Sequence, residues 1–198
     1  MKKRTDLKIG LNIKRALLLL LVMTVLCGLV YTLAVTGVTQ LIFPYQANGS
    51  IMKADQQTVG SELIGQYFTD PKYFWGRPSA TADVPYNALG GAGSNKQVTG
   101  ADAQKRTEER VAYWQAADPE NTEPVPVELV TASASGLDPD ISPAAARYQV
   151  HRIAKARGMD AEKISELIEN SIERRFLGIF GEERINVLKI NMALDKLS

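Results

Sequence analysis

The sequence predicts a single N-terminal transmembrane helix followed by one extracytoplasmic α+β domain with a small sheet. Three observations lead to this prediction. Residues 16–43 are uncharged and mostly apolar, a basic leader precedes them, and the rest of the chain alternates helical and strand patterns. The chain of 198 residues therefore divides into a cytoplasmic tail at 1–15, a transmembrane helix at 16–43 and a domain at 44–198.

The apolar run from Ala16 to Phe43 is long enough to cross a membrane. A helix needs about 20 apolar residues to span a hydrocarbon core of about 30 Å, and lipid forces the backbone to be helical. The alternative, a cleaved signal peptide, would have an apolar core of about 7 to 15 residues followed by a small-residue cleavage site. We expect a permanent anchor. Because bulky Leu26 precedes Cys27, we expect this cysteine to be an ordinary residue rather than a lipid attachment site.

Charges before the apolar run set its orientation. Only Asp6 opposes the basic side chains of the leader, which are Lys2, Lys3, Arg4, Lys8, Lys14 and Arg15. The positive-inside rule places such a leader in the cytoplasm. The domain after Phe43 then lies outside, where it carries a net charge of about −4.

The first half of the domain combines helical patterns with a long loop. Apolar side chains at helical spacing predict a helix over Val59–Thr69, and a charged helix follows over Ala101–Ala117. Between them, residues 73–93 form a predicted loop of a length that is uncommon unless the loop is functional. After a proline-containing linker, the apolar run Val127–Thr131 predicts a buried strand.

The clearest helix boundaries lie in the second half of the domain. Ser142 is a predicted N-cap, Pro143 occupies the first helical position, and Gly158 ends this helix. Asp160 then caps a second helix that runs towards Phe176.

The chain ends in a predicted strand, Ile185–Asn191, and a terminal turn over residues 192–197. The resulting order is helix, loop, helix, strand, helix, helix and strand. This order is typical of an α+β domain with a small sheet.

Composition and motifs exclude several classes of function. With 23 basic and 22 acidic side chains, the chain lacks the charge of a nucleic-acid-binding protein. One cysteine and one histidine cannot form a thiolate and imidazole zinc site. That histidine, His151, lies on a predicted helix without a nucleophile motif, so we expect a structural role. The residues themselves predict no catalytic group and no metal site.

Three sequence features have either two possible roles or only a weak functional signal. The glycine cluster Gly90–Lys96 lacks the spacing of a phosphate-binding loop, and is either a flexible surface turn or a loop that contacts another subunit. Arg77 follows the aromatic residues 73–75; it either stacks on a ring or pairs with a carboxylate, or it packs the long loop. Asp138 and Asp140 lack the other ligands of a calcium loop and fit a turn before a helix.

Eight segments go beyond generic patterning: residues 45–50, 73–80, 85–87, 93–95, 126–138, 141–146, 154–157 and 191–197. Together they resemble the C subunit of the bacterial high-affinity potassium-transporting ATPase, the Kdp complex. The resemblance begins at the membrane span and does not include the basic leader. It implies a non-catalytic accessory subunit in the bacterial cell membrane, needed for assembly and activity. The implied partners are a channel-like A subunit that carries potassium and a P-type B subunit that hydrolyses ATP.

The resemblance also implies the role of a catalytic chaperone, which raises the ATP affinity of the B subunit. ATP is cytoplasmic, whereas the charge bias places this domain outside. We therefore expect no cofactor bound to this chain itself; the ATP that the family description implies would be coupled to it indirectly rather than through direct contact. Polar and aromatic residues of the matching loops are the candidates for partner contacts: Gln46, Asn48, Arg77, Ser79, Tyr86, Asn87, Ser94 and Asn95.

Two alternatives come from other classes of protein. A membrane-anchored extracytoplasmic hydrolase would use the hydroxyl of Ser133 or Ser135 with a lysine, but the Ser-x-x-Lys spacing is absent. A solitary sensor or adhesion domain is the other. Copurification distinguishes these alternatives from the accessory subunit, because a subunit should be extracted in detergent together with two larger membrane partners.

The leader predicts a cytoplasmic amino terminus and a domain on the opposite side. A reporter that is active only outside the cytoplasm should be active when it is fused after Ser198. A reporter that requires the cytoplasm should be inactive there, and activity of this second fusion would contradict the topology. Charge reversal of Lys14 and Arg15 alone should not invert the chain, since four other basic residues remain.

Overall fold

The structure is a computed structural model that describes residues 2–197 of the chain, with the side chains of residues 11–197. Most of the basic leader, whose charges predict the orientation, thus lies outside the described side chains. The chain divides into two compact units, Met1–Ser50 and Ile51–Ser198.

The first unit is one long helix and a final short helical turn. Its elements are α1 (Lys2–Met23), a π-helical segment (Thr24–Tyr31), α2 (Thr32–Ile42) and α3 (Pro44–Ala47). Within this helix, Leu11–Ile42 is long and apolar enough to cross a membrane. The hydroxyl of Thr32 donates to the carbonyl of Cys27 at 3.0 Å, five residues back, which fits the wide π turn. Length and composition thus agree with the predicted anchor.

The second unit combines short helices with two antiparallel strand pairs among its described residues. Its elements are β1 (Ile51–Ala54), β2 (Gln57–Ser61), α4 (Ala101–Ala117), α5 (Val127–Val130), β3 (Asp140–Ile141), α6 (Pro143–Tyr148), α7 (Val150–Arg157), α8 (Ala161–Ser171), β4 (Ile185–Asn186) and α9 (Val187–Asp195). β1 pairs with β2, and β3 pairs with β4. This is a mixed domain with very little sheet, as predicted, and α4 has the predicted bounds.

The helix predicted over Val59–Thr69 is wrong. The start of this segment belongs to β2, which pairs with β1 through a two-residue turn with positive φ at Asp55 and Gln56. Further on, Gly65 lies so close to Tyr86 that an added Cβ would be 2.3 Å from its ring. Pairing and this close approach override the helical spacing of the apolar side chains.

The strand predicted over Val127–Thr131 is also wrong, because the segment forms α5. Pro126 precedes the helix, and the hydroxyl of Thr131 bonds back to the Val127 carbonyl at 2.9 Å. Leu129 and Val130 are buried, as predicted, but against helix α4 rather than in a sheet. A short apolar run between turns does not by itself distinguish a buried strand from a buried helical turn.

The first helix of the C-terminal half begins and ends where the sequence predicts, but it is interrupted at Gln149. Ser142 caps α6 by accepting from the Ala145 amide at 3.2 Å. Gly158 adopts a left-handed conformation with φ of 63° and ends α7. At Gln149 the backbone turns between the two helices, and the side-chain amide of Gln149 is bound by Trp75 of the long loop.

The next helix, α8, is capped by Asp160 as predicted but ends at Ser171, before the expected end near Phe176. Residues 173–184 instead fold back as a hairpin. The amide of Glu173 donates to the Arg184 carbonyl at 2.8 Å, and that of Arg184 returns a bond at 3.1 Å.

The predicted closing strand Ile185–Asn191 is wrong over most of its length. Only β4 is extended, and it pairs with β3. Asn186 then accepts from the Lys189 amide at 3.1 Å and caps α9, which also replaces the predicted turn over residues 192–197 up to Asp195. An asparagine cap followed by apolar residues three and four apart favours a helix here.

The helices α6, α7, α8 and α9 surround one apolar core, with α8 contacting the other three and β4. Its largest fully buried side chains are Phe74, Leu129, Ile141, Ile153, Ile164, Ile168, Ile185, Ile190 and Leu194. Phe74 comes from the long loop, so the loop is part of the core and not an appendage to it.

Candidate partner-contact site

The start of the long loop is held by side-chain amides rather than by a neighbouring strand. The amide of Asn191 accepts from the Phe74 N–H at 2.8 Å and donates to the Phe74 carbonyl at 2.9 Å. Gln149 forms the same pair with Trp75, at 2.8 and 3.1 Å. Both amides are buried. They satisfy backbone groups that would otherwise be buried without partners. We call these two residues the amide clamp.

Arg152, on α7, supports the clamp as a buried cation. Its guanidinium lies 3.9 Å from the centre of the Trp75 ring. It donates to the carbonyls of Pro71 and of Tyr73, the latter at 3.1 Å, and to the Gln149 amide oxygen at 2.6 Å. Burial lowers the pKa of Arg152 to about 10, so it stays charged at neutral pH. Carbonyl dipoles and the ring face, rather than a directly bonded carboxylate, compensate this charge.

A cavity of about 220 Å³ opens beside the clamp. Its lining is aromatic with two arginines, and comprises Gln66, Tyr67, Phe68, Trp75, Gly76, Arg77, Pro78, Tyr86, Arg110, Tyr113, Trp114 and Leu129. Burial raises the pKa of Tyr86 to about 12, so its hydroxyl is a neutral donor, and it donates to the Arg77 carbonyl at 2.6 Å. Such a lining suits an apolar side chain with a polar or acidic neighbour.

The loop that follows is seated on a second turn, residues 133–138. Ser79 donates to the Gly136 carbonyl at 2.7 Å and accepts from the Tyr86 amide at 2.9 Å. Arg77 pairs with the carboxylate of Asp138 at 2.9 Å. Gly136 has φ of 68°, and an added Cβ would lie 2.7 Å from a backbone oxygen of the glycine loop. The two loops therefore fit closely only with glycine at this position.

Four of the eight candidate residues are brought together in this loop: Arg77, Ser79, Tyr86 and Asn87. The Asn87 amide N–H donates to the Thr81 hydroxyl at 3.1 Å, and its side chain to the Ala82 carbonyl at 3.3 Å. Their bonds hold the loop in shape. A role in partner contact remains a prediction for all four.

The other four candidates lie apart from this group. Gln46 and Asn48 belong to the first unit, where Asn48 donates to the Pro44 carbonyl at 2.6 Å and to the Gln40 side chain at 3.1 Å. Ser94 and Asn95 are exposed within the glycine cluster. Their contact role also remains a prediction.

The geometry answers the open question about Arg77, whereas for the glycine cluster it shows only what the cluster packs against. Arg77 pairs with a carboxylate and also packs the loop, while Arg152 stacks on the aromatic ring. In the glycine cluster, an added Cβ at Gly93 would lie 2.6 Å from the Ala134 carbonyl oxygen. The cluster therefore packs against the turn at residues 133–138, and its glycines permit that approach.

Residues considered for chemistry have structural contacts. His151 lies on the surface of α7 with Nδ1 2.7 Å from Asp118, as expected of a structural histidine. Ser133 and Ser135 accept from backbone N–H groups at 2.9 and 3.1 Å, so the geometry offers nothing to the hydrolase alternative. Among the described residues, no group of three or more histidine, cysteine, aspartate and glutamate side chains is arranged to hold a metal.

The amide clamp and Arg152 were not predicted from the sequence. One signal for Asn191 existed, since it interrupts the apolar face of α9 between Leu188 and Leu194. Gln149 and Arg152 are three residues apart and so share a helix face. Sequence alone does not show which segment their polar groups bind.

Comparison with known proteins places the chain in a family. The family model described as "K+-transporting ATPase, c chain" matches residues 13–196. A protein of Polaromonas naphthalenivorans named potassium-transporting ATPase KdpC subunit is 54% identical over 94% of this chain and 95% of its own length. Relatives of the same name from Methylococcus capsulatus and Herminiimonas arsenicoxydans are 52% and 50% identical, over 94% and 93% of this chain and 98% and 97% of their own.

The clamp predicts a large stability loss for Asn191→Ala, because two buried backbone groups of Phe74 lose their partners. We expect the free energy of unfolding to fall by about 2 to 4 kcal/mol. Denaturant unfolding of the detergent-purified chain, followed by tryptophan fluorescence, measures this change. The matched control Asn170→Ala lies on the exposed face of α8 and should change the free energy by less than about 0.5 kcal/mol. Equal effects of the two variants would contradict the role of the clamp.

Proposed function

The chain belongs to the KdpC family, the c chain of the K⁺-transporting ATPase, and from this premise we propose how it serves as the accessory subunit of such a complex. The observation that carries the proposal is the family match, which spans residues 13–196 in one piece. The same match supports a subunit that is accessory to the ATPase rather than catalytic by itself.

We propose that the partners are a channel-like, potassium-carrying A subunit and a P-type, ATP-hydrolysing B subunit. The names of the relatives, potassium-transporting ATPase KdpC subunit, support membership of such a complex. The role of this chain is then to stabilise the assembled pump. A chain that binds one state of the pump more tightly shifts that state's population, and thereby its apparent ATP affinity, without touching nucleotide.

The proposed topology places the amino terminus in the cytoplasm and the domain outside the bacterial inner membrane. Its support is the basic leader before the span. In this arrangement the domain lies on the side from which potassium enters. Its net charge of about −4 attracts cations only weakly, because salt screens exposed charges beyond about 8 Å. Stabilisation of the complex is therefore the larger contribution.

The span provides a surface for packing against partner helices. Gly28, Ala34 and Gly37 are small residues that allow helix backbones to approach closely. At both glycines an added Cβ would meet no atom within 4 Å, so the helix surface is open at these positions. The loop candidates Arg77, Ser79, Tyr86 and Asn87, and the exposed Ser94 and Asn95, are the proposed contacts of the domain. Gln46 and Asn48 are proposed contacts at the end of the span.

Removal of this chain should abolish most potassium-stimulated ATPase activity of the complex, although the chain is an accessory subunit. The physical reason is the loss of an assembly partner rather than of a reacting side chain. Purified complexes with and without the chain are compared for ATP hydrolysis and potassium transport, and adding the chain back should restore both. Full activity in its absence would contradict the proposed role.

A further inference from the structure

An apolar tip projects from the hairpin at residues 173–184 of the second unit. Four large side chains form it, with exposed fractions of 71, 74, 73 and 62%: Phe176, Leu177, Ile179 and Phe180. Two backbone bonds close the hairpin between Phe176 and Phe180, at 2.9 and 3.0 Å. The tip therefore has a defined shape but almost no cover from the rest of its own unit.

The turn at the tip keeps an apolar residue in an unfavourable backbone conformation. Leu177 has φ of 54° and Gly178 has φ of 72°. The Ile179 amide donates across the turn to the Phe176 carbonyl at 3.2 Å. A two-residue turn with two positive φ values favours asparagine before glycine, and a leucine there is strained. Leu177 thus adopts a positive φ that disfavours leucine, and its side chain gains no buried contact in return. Such uncompensated strain is characteristic of functional sites.

Below the tip, the hairpin carries no net charge, and its ion pairs lie both within it and, through Arg184 to Asp140 and Glu173 to Lys189, to the rest of the unit. Arg175 binds Glu182, and Arg184 binds Glu173 at 2.9 Å. We call the six charged residues on either side of the tip the neck. Three of them are acidic and three are basic: Glu173, Arg174, Arg175, Glu182, Glu183 and Arg184. A partner for the tip therefore needs an apolar surface and no particular net charge.

We propose that the apolar tip inserts into an apolar groove on another subunit of the same membrane complex. This inference rests on the proposed function, because it assumes the complex. The four side chains offer roughly 500 Å² of apolar surface, comparable to the largest patch of about 300 to 600 Å² on a typical monomer. A stable free-standing interface needs about 800 Å² from each partner. The tip alone is therefore too small to hold a second copy of this chain.

The membrane span removes the need for a larger area. A partner that the span already holds is present at a high effective concentration, so a small second contact adds substantially to the total affinity. The tip therefore fits a subunit of the same complex.

Lipid is a less suitable occupant than a protein groove. Segments that lie in the membrane interface combine apolar residues with a surplus of lysine and arginine. The neck has no such surplus, because Arg174 and Arg175 before the tip are balanced by Glu182 and Glu183 after it, so anionic headgroups would not attract it. An apolar protein surface has no such requirement.

The test uses a variant that removes apolar surface from the tip and keeps the backbone turn of the hairpin. In Leu177→Asn with Ile179→Ser, asparagine suits the positive φ, so the hairpin is retained. The matched control, Leu197→Asn with Val127→Ser, removes similar side chains that are 48% and 74% exposed and are neither proposed contact residues nor next to one in sequence. Each full-length variant is added in detergent to a complex lacking this chain, and binding of the chain to that complex is titrated. We expect the tip variant to bind roughly tenfold more weakly or worse, and the control to bind as wild type does.

The outcomes separate this inference from the proposed function. Failure of the wild-type chain to bind the complex would overturn both. Wild-type binding together with unchanged binding of the tip variant, or an equal loss in the control, would overturn the inference alone. In a second readout, a photo-crosslinking residue replaces Leu177 in membranes containing the whole complex. A crosslink to another subunit supports the groove, whereas crosslinks to lipid alone or to a second copy of this chain would overturn it.

Discussion

The domain depends on two buried side-chain amides that take the place of a β-strand. Gln149 and Asn191 each bind both backbone groups of one loop residue, and so bring Phe74 and Trp75 into the core. The cost of burying an extended segment is thereby met without a sheet. These bonds join residues 74 and 117 positions apart in sequence. The start of the long loop is thus tied to the turn between α6 and α7 and to α9.

The rest of the site follows from this attachment. Trp75 is held in place, which gives Arg152 a ring face to stack on and gives Trp114 an aromatic neighbour at 5.2 Å. The chain leaves the core at Gly76 and runs directly into Arg77 and Ser79, whose partners lie on the turn at residues 133–138. The loop is therefore ordered from one end by the clamp and from the other by that turn. A loop fixed in this way presents a constant surface, as an accessory subunit requires.

Sequence reasoning was most accurate where the signal is local. The span follows from length and composition, the Ser142 cap and the Gly158 stop from single-residue geometry, and α4 from its own composition. It failed where tertiary contacts decide the conformation. The β1–β2 hairpin depends on pairing and α5 on its position beside Trp114. The error at α9 was different, because the cap at Asn186 is a local signal that the sequence reasoning missed. For the candidate site, the family resemblance selected residues of the long loop, whose contact role stays a prediction. The residues that anchor this loop lie 74 and 117 positions away, and no local pattern shows what they bind.

The central claim is that amide side chains hold the loop as firmly as a strand would. Backbone hydrogen exchange of the detergent-purified chain tests it directly at Phe74 and Trp75. Because both N–H groups are buried and bonded to the clamp, they should exchange as slowly as the amides of Ile164 and Ile168 in α8. Exchange at Phe74 and Trp75 as fast as in the exposed segment around Val98 would show that the clamp does not form, and would contradict the account.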